Sequence, residues 1–525
     1  MTRLVSCVIA VGAALLALGC VSPQEEGLKT MDQKQVATDA VDHHEVWFKG
    51  TVEQAFAAAR NQDKPIFLYW GAVWCPPCNE LKAEVFSKVR FAELMESFVP
   101  VYLDGDTEAA QLWSDRLKVS GYPTILVLNQ KGEETMRIME TISIEEFDLA
   151  LASAVTAKRP VKDTIKVALS GKATDQDWRV IAYLSWSQVQ GLDLSSDEQL
   201  KALRDLANRV PQKLVVEHAL LASRVLEAAA TADDDATKLV ASAIRKDANT
   251  YLDAMFANKG TRRVARGTLA YMSEEIVTWL YPEGKGAGYD VLKGRWLAAA
   301  EELRLTEALS IDNRLWANHP VVVFAQKDHP KGPLPSAVKE LVIREAELAD
   351  GRAKTHYQRH SVISGAVDLL GVIGEYDRAR ALLDKELATT DTPWYYESSY
   401  ASIEKKAGNE LAALKWSEKA RLSAKGRASK LQWIVSDLVA VAKTKVKDEQ
   451  RLADLTKEYY TTAFSLADGF SGRNATRAKT VIANLKPYAK TGQVAAVVQT
   501  YAVACKEGRS KDGSKCADHF AAMVK

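Results

Sequence analysis

Trp74-Cys75-Pro76-Pro77-Cys78 decides the reading of this chain. Two cysteines separated by two residues can hold a disulfide and pass it to another thiol. The run before them, Pro65-Ile66-Phe67-Leu68-Tyr69-Trp70, is apolar and continuous, the pattern of a strand buried on both faces. The run after them, from Asn79 to about Phe98, places Leu81, Val85, Phe86, Phe91, Leu94 and Met95 at roughly helical spacing. Cys75 is therefore expected where a strand gives way to a helix. The positive helix end beneath its sulfur favours a thiolate. Cys78, one turn further in, is expected to be less exposed and to act as the resolving thiol.

Further elements surround this motif. Val52 to Arg60 reads as a helix leading into the first strand at Lys64-Pro65. Gly121-Tyr122-Pro123-Thr124 precedes the apolar run Ile125 to Leu128, and Pro123 lies 45 residues after Cys78. Asn129-Gln130-Lys131-Gly132 reads as a hairpin turn before a last strand, Glu134 to Met139, and a closing helix from about Ser143. On these residues, 45–158 resemble the thioredoxin-like fold family, of the envelope thiol–disulfide reductase type.

The resemblance implies a cis-proline loop at Pro123 and a substrate strand held by Trp74, Tyr122 and Pro123. It also implies Cys75 and Cys78 as the catalytic pair, with no cofactor beyond their disulfide. A CxxC can serve as half a zinc site, and His43 and His44 could complete one. Nothing else supports it, and no metal is expected. Two departures from the family pattern matter. Tyr69 stands where thioredoxins carry a buried strand acid, leaving Glu80 or water to take a proton. Pro76-Pro77 removes two N–H donors near the Cys75 sulfur and supplies no histidine. A less stabilised thiolate makes a less oxidising couple, so reduction or isomerisation is expected over oxidation.

The first twenty residues point to export. Arg3 is followed by an apolar run, Val8 to Leu18, and by Ala17-Leu18-Gly19-Cys20, which resembles a bacterial lipoprotein signal. Cleavage at an ordinary small-residue site would also leave Cys20 first. Among six cysteines, Cys7 leaves with the signal, Cys75 pairs with Cys78, and Cys505 can pair with Cys516. Cys20 is then odd, and lipidation would remove its free thiol. The expected location is the bacterial cell envelope, anchored through lipid and facing the periplasm, or secreted if Cys20 is not lipidated. Residues 21–44 are polar and read as a flexible tether.

Length and charge bound the rest. A chain of 525 residues with formal charge +1 has room for further cores, and no basic stripe points to nucleic acid. From Arg159-Pro160 the character turns to helix throughout, as in Leu200 to Leu206, Val215 to Ala229 and Leu292 to Leu305. Val321 to Phe324 is a short strand-like run. Gly284 to Gly288 lacks the spacing and the Lys-Ser/Thr end of a phosphate loop.

Gly374-Glu375-Tyr376 with Ala379 and Leu382 recurs as Gly408-Asn409-Glu410 with Ala413 and Trp416, 34 residues on. This period resembles the tetratricopeptide repeat. Most aromatics of the region read as core, with Trp394-Tyr395-Tyr396 the candidate for a concave binding face. Residues 159–500 are thus expected to form an all-α repeat domain, and 501–525 a terminal segment stapled by Cys505–Cys516.

The reading is a thiol–disulfide oxidoreductase whose helical domain holds disulfide-bearing client proteins. Its partners would also include a membrane reductant carrier as electron donor and the lipid bilayer. The alternative is a binding scaffold whose thioredoxin-like domain is a redox switch or non-catalytic.

Overall fold

The computed structural model describes residues 46–139, 142–157, 159–186, 194–445 and 448–524. The expected signal, Cys20, the tether, His43 and His44 lie outside them. The N-terminal part is a thioredoxin-like α/β domain and the remainder is helical. Among the described residues no helix is long and apolar enough to cross a membrane.

The α/β part runs α1 (Val52–Gln62), β1 (Ile66–Gly71), α2 (Pro76–Leu81), α3 (Val89–Met95), β2 (Val99–Asp104), α4 (Glu108–Arg116), β3 (Thr124–Leu128), β4 (Glu134–Ile138) and α5 (Ile144–Val155). The strands are ordered β2-β1-β3-β4. β1 and β2 are parallel, while β3 is antiparallel to both β1 and β4. All six residues of β1 are buried because each face meets a different core. Ile66, Leu68 and Trp70 face α1 and Ala110 of α4, whereas Phe67 and Tyr69 face the aromatic layer of Phe86, Phe91 and Phe147. Trp47 closes that layer, its ring within 6.1 Å of those of Phe67, Tyr69, Phe86 and Phe91.

The helix after the cysteines departs from the continuous one expected. It passes from α2 into a π-helical turn, Lys82–Phe86, and breaks at Ser87–Lys88 before α3. Val85 and Phe86 are both buried there, and the Ser87 hydroxyl donates to the Ala83 carbonyl at 2.6 Å. At the far end, Ser143 caps α5 in a reciprocal capping box with Glu146.

The helical region shares its first core with the α/β part. One continuous apolar cluster runs from Phe67 through Phe147, Trp178, Leu221 and Trp296 to Phe324. A second gathers Leu315 to Ile403, and a third Leu414 to Met523, which includes the terminal helix Ser514–Val524. Val321 to Phe324 lies in the helix His319–Asp328, not in a strand. His319-Pro320 opens that helix, where a proline costs no hydrogen bond, and burial of Val322, Val323 and Phe324 outweighs their weak helix propensity. Gly374 and Gly408 turn two successive helix pairs, both with positive φ (81° and 83°). Cys505 and Cys516 are bonded to each other across that terminal turn.

Candidate functional site: a disulfide beneath a helical cover

The cysteines sit where β1 hands over to α2. Cys75 is the N-cap residue, extended at φ −83°, and Pro76 and Pro77 form the first turn, where missing N–H groups cost nothing. Cys75 and Cys78 are joined as a disulfide. The Cys78 backbone N–H donates to Cys75 Sγ at 3.3 Å. In the reduced protein the same N–H and the helix end would favour a thiolate on Cys75. Asn79 Nδ2 fixes the turn by donating to the carbonyls of Val73 at 2.9 Å and Cys75 at 3.0 Å.

The Tyr122–Pro123 peptide bond is cis. The Tyr122 hydroxyl accepts from Gln111 Nε2 at 2.8 Å and donates to the Gly105 carbonyl at 3.2 Å, so the proline loop is tied to the β2–α4 turn. Trp74 Nε1 donates to Asp106 Oδ2 on that turn at 3.0 Å. Trp74, Tyr122, Pro123 and both cysteines are thus brought to one end of the sheet.

That end is not open. Cys75 is 3% exposed and Cys78 fully buried, although Cys75 was expected to be the accessible sulfur. The helical region is the cause. Trp394 and Tyr395 of the helix Pro393–Lys406, and Trp433 of the helix Arg427–Lys443, form one cluster with Ala72, Trp74 and the cysteines. Tyr395 stacks on Trp74 at 6.3 Å, and Trp433 meets it edge-on at 5.9 Å. Of Trp394-Tyr395-Tyr396, the first two therefore line a face whose occupant is this chain's own disulfide, while Tyr396 is buried in the second helical core.

Polar contacts fasten the cover. The Arg473 guanidinium lies 4.1 Å from the Tyr122 ring centroid, a cation–π contact. Burial pushes the Asp106 carboxyl up, while hydrogen bonds from Ser429 and Trp74 oppose that rise. Gly426 approaches Asp106 so closely that a Cβ would stand 2.8 Å from its Cβ, and φ there is +93°. Sequence reasoning missed Asp106, Gly426, Ser429 and Arg473. A glycine opening the helix Arg427–Lys443 was the one local signal.

The opposite side of Pro76 and Pro77 faces a cavity of about 500 Å³ between α2 and the helical region. Glu80 lines that cavity and accepts from Ser310 Oγ at 2.5 Å and Asn313 Nδ2 at 2.6 Å. Arg266 holds Glu146 through two 2.9 Å bonds in a buried pair. Asp312, beside Glu80, is pushed well above the usual carboxylate range by burial and by that neighbouring charge. Tyr69, in the strand position expected of an acid, is buried with its hydroxyl unpartnered.

Residues 47–130 match the family model described as Thioredoxin-like. A comparison of the chain with curated proteins finds no match.

Proposed function

We propose that this protein carries out thiol–disulfide exchange through Cys75 and Cys78, reducing or isomerising disulfides of client proteins in the bacterial envelope. The observation that carries the reading is the head of α2, where Cys75 Sγ receives the Cys78 N–H beside the cis-proline loop. The Cys75 thiolate attacks a client disulfide, forming a mixed disulfide and releasing one client thiolate, which takes up a proton. Cys78 then attacks Cys75 Sγ. The second client thiol leaves, and two electrons have passed from the cysteine pair to the client. A membrane reductant carrier would restore the dithiol, and lipid on Cys20 would keep the protein beside it. The helical region admits clients only when its cover lifts from Trp74.

Reduction of insulin by the full chain, with a chemical reductant as donor, tests the activity. A Cys78→Ser variant should retain clients as mixed disulfides on Cys75. Failure of both would leave the second reading, a scaffold whose cysteine pair is a redox switch, which the near-complete burial of that pair favours. Cys20→Ala should move the protein from the membrane to the soluble envelope fraction. A wild type already soluble after export would remove the anchor.

A further inference from the structure

Away from the cysteines, the helix His356–Val372 begins with two histidines one turn apart, His356 and His360. The i, i+4 spacing puts both rings on one face, and their centroids are 4.2 Å apart. Asp391, from the turn ahead of Pro393, joins them. One ligand atom from each of the three lies within 4.8 Å of the others. His360 is buried, with its ring 5.4 Å from that of Tyr396. Thr390 Oγ1 stands 3.4 Å from His360 Nε2, so the turn bearing Asp391 already touches the fixed ring. His356 and Asp391 are exposed.

We propose that His356, His360 and Asp391 bind a divalent transition-metal ion of the zinc class. Two imidazoles and one carboxylate suit zinc, cobalt, nickel or copper, whereas magnesium and calcium take oxygen ligands. A tetrahedral ion with ligands at about 2.0–2.1 Å sets them about 3.4 Å apart. Rotation of the two exposed side chains closes the remaining gap while His360 stays in place. Lys82, a nearby cation, is engaged with the Tyr357 and Tyr102 rings at 5.4 and 5.8 Å. Three protein ligands leave a fourth position for water on the solvent side.

The location gives the ion something to hold. The helix His356–Val372 packs on α2, which carries Cys78. Asp391 leads into the helix whose Trp394 and Tyr395 cover the disulfide. A bound ion fastens one to the other. The proposal does not depend on thiol–disulfide exchange, and its test reads metal rather than activity.

Oxidised full-length protein is titrated with cobalt by visible spectroscopy, then with zinc by calorimetry. The expected result is one ion per chain, with the d–d bands of a tetrahedral nitrogen–oxygen site and no thiolate charge-transfer band. His356→Ala and Asp391→Asn change exposed positions, so they should keep the fold by circular dichroism. Each should weaken zinc by at least the roughly 10- to 100-fold that a lost hydrogen bond behind a ligand costs. His360→Ala should abolish binding. Wild-type affinity in both exposed variants, no binding at micromolar zinc, or a thiolate band would each overturn the proposal.

Discussion

Trp433→Ala measures how firmly the cover holds the disulfide. Trp433 is 4% exposed and packs edge-on against Trp74. If half of its roughly 200 Å² of buried area faces the α/β domain, burial contributes about 2.5 kcal/mol to docking. The aromatic pair adds about 1 kcal/mol. Its indole Nε1 is buried without a partner, and removing it offsets about 1 kcal/mol. The net loss of about 2–3 kcal/mol raises the uncovered fraction roughly 30- to 150-fold. The assay is reduction of Cys75–Cys78 by a protein dithiol too large to enter beneath the cover, quenched by alkylation and counted by mass. Trp296→Ala is the control, because Trp296 is fully buried in the first core and donates to the Leu269 carbonyl at 2.8 Å, apart from the disulfide cluster. That variant should lose comparable global stability without faster reduction. Wild-type reduction by folded Trp433→Ala, or equal acceleration by Trp296→Ala, would refute the covered-site reasoning.

Gly426→Ala should cost about 1–2 kcal/mol from its left-handed backbone alone. It should also speed reduction by the same protein dithiol, because the new Cβ collides with Asp106. Burial holds His519 down to about 4, with Nε2 3.2 Å from the Tyr460 hydroxyl. The folded state therefore binds fewer protons than the unfolded one between about pH 6.5 and 4. Stability from this group is complete above that window and falls through it, by about 3 kcal/mol at its acid end. Urea midpoints at pH 7 and 4.5 should show that loss in wild type and less of it in His519→Gln. Cys505→Ser should destabilise the third core by about 2–3 kcal/mol on the chain-entropy model. It should open the terminal helix to protease in a limited digest while leaving reduction of Cys75–Cys78 unchanged.

Local chemistry made much of the α/β part legible. An unbroken apolar run marked β1, Asn129 to Gly132 marked the hairpin, and Ser143 marked the start of α5. Gly374 and Gly408 stood out because a tight turn between helices calls for positive φ. What escaped was tertiary. The π-helical turn at Lys82–Phe86 answers to core packing, and Val321 to Phe324 took the conformation its neighbours and Pro320 imposed. Trp433 and Trp74 are 359 residues apart, and no periodicity connects them. An aromatic destined for an interdomain lid has the same helical spacing as one destined for a core, so Trp433 read as core. The burial of Cys75 was hidden for the same reason, since its own motif predicts an open sulfur.

The arrangement of Trp74 between Tyr395 and Trp433 also has a thermodynamic consequence. The helical lid is, in effect, an intramolecular ligand of the redox couple. Linkage is reciprocal: if the lid grips the disulfide more tightly than the dithiol, docking lowers the reduction potential, and reduction loosens the lid by the same free energy. For a two-electron couple each 1.4 kcal/mol of preference corresponds to about 30 mV. Any electron donor would thus be matched not to the α/β domain alone but to that domain with its lid in place. Any partner that draws the lid away would retune the couple without touching a cysteine.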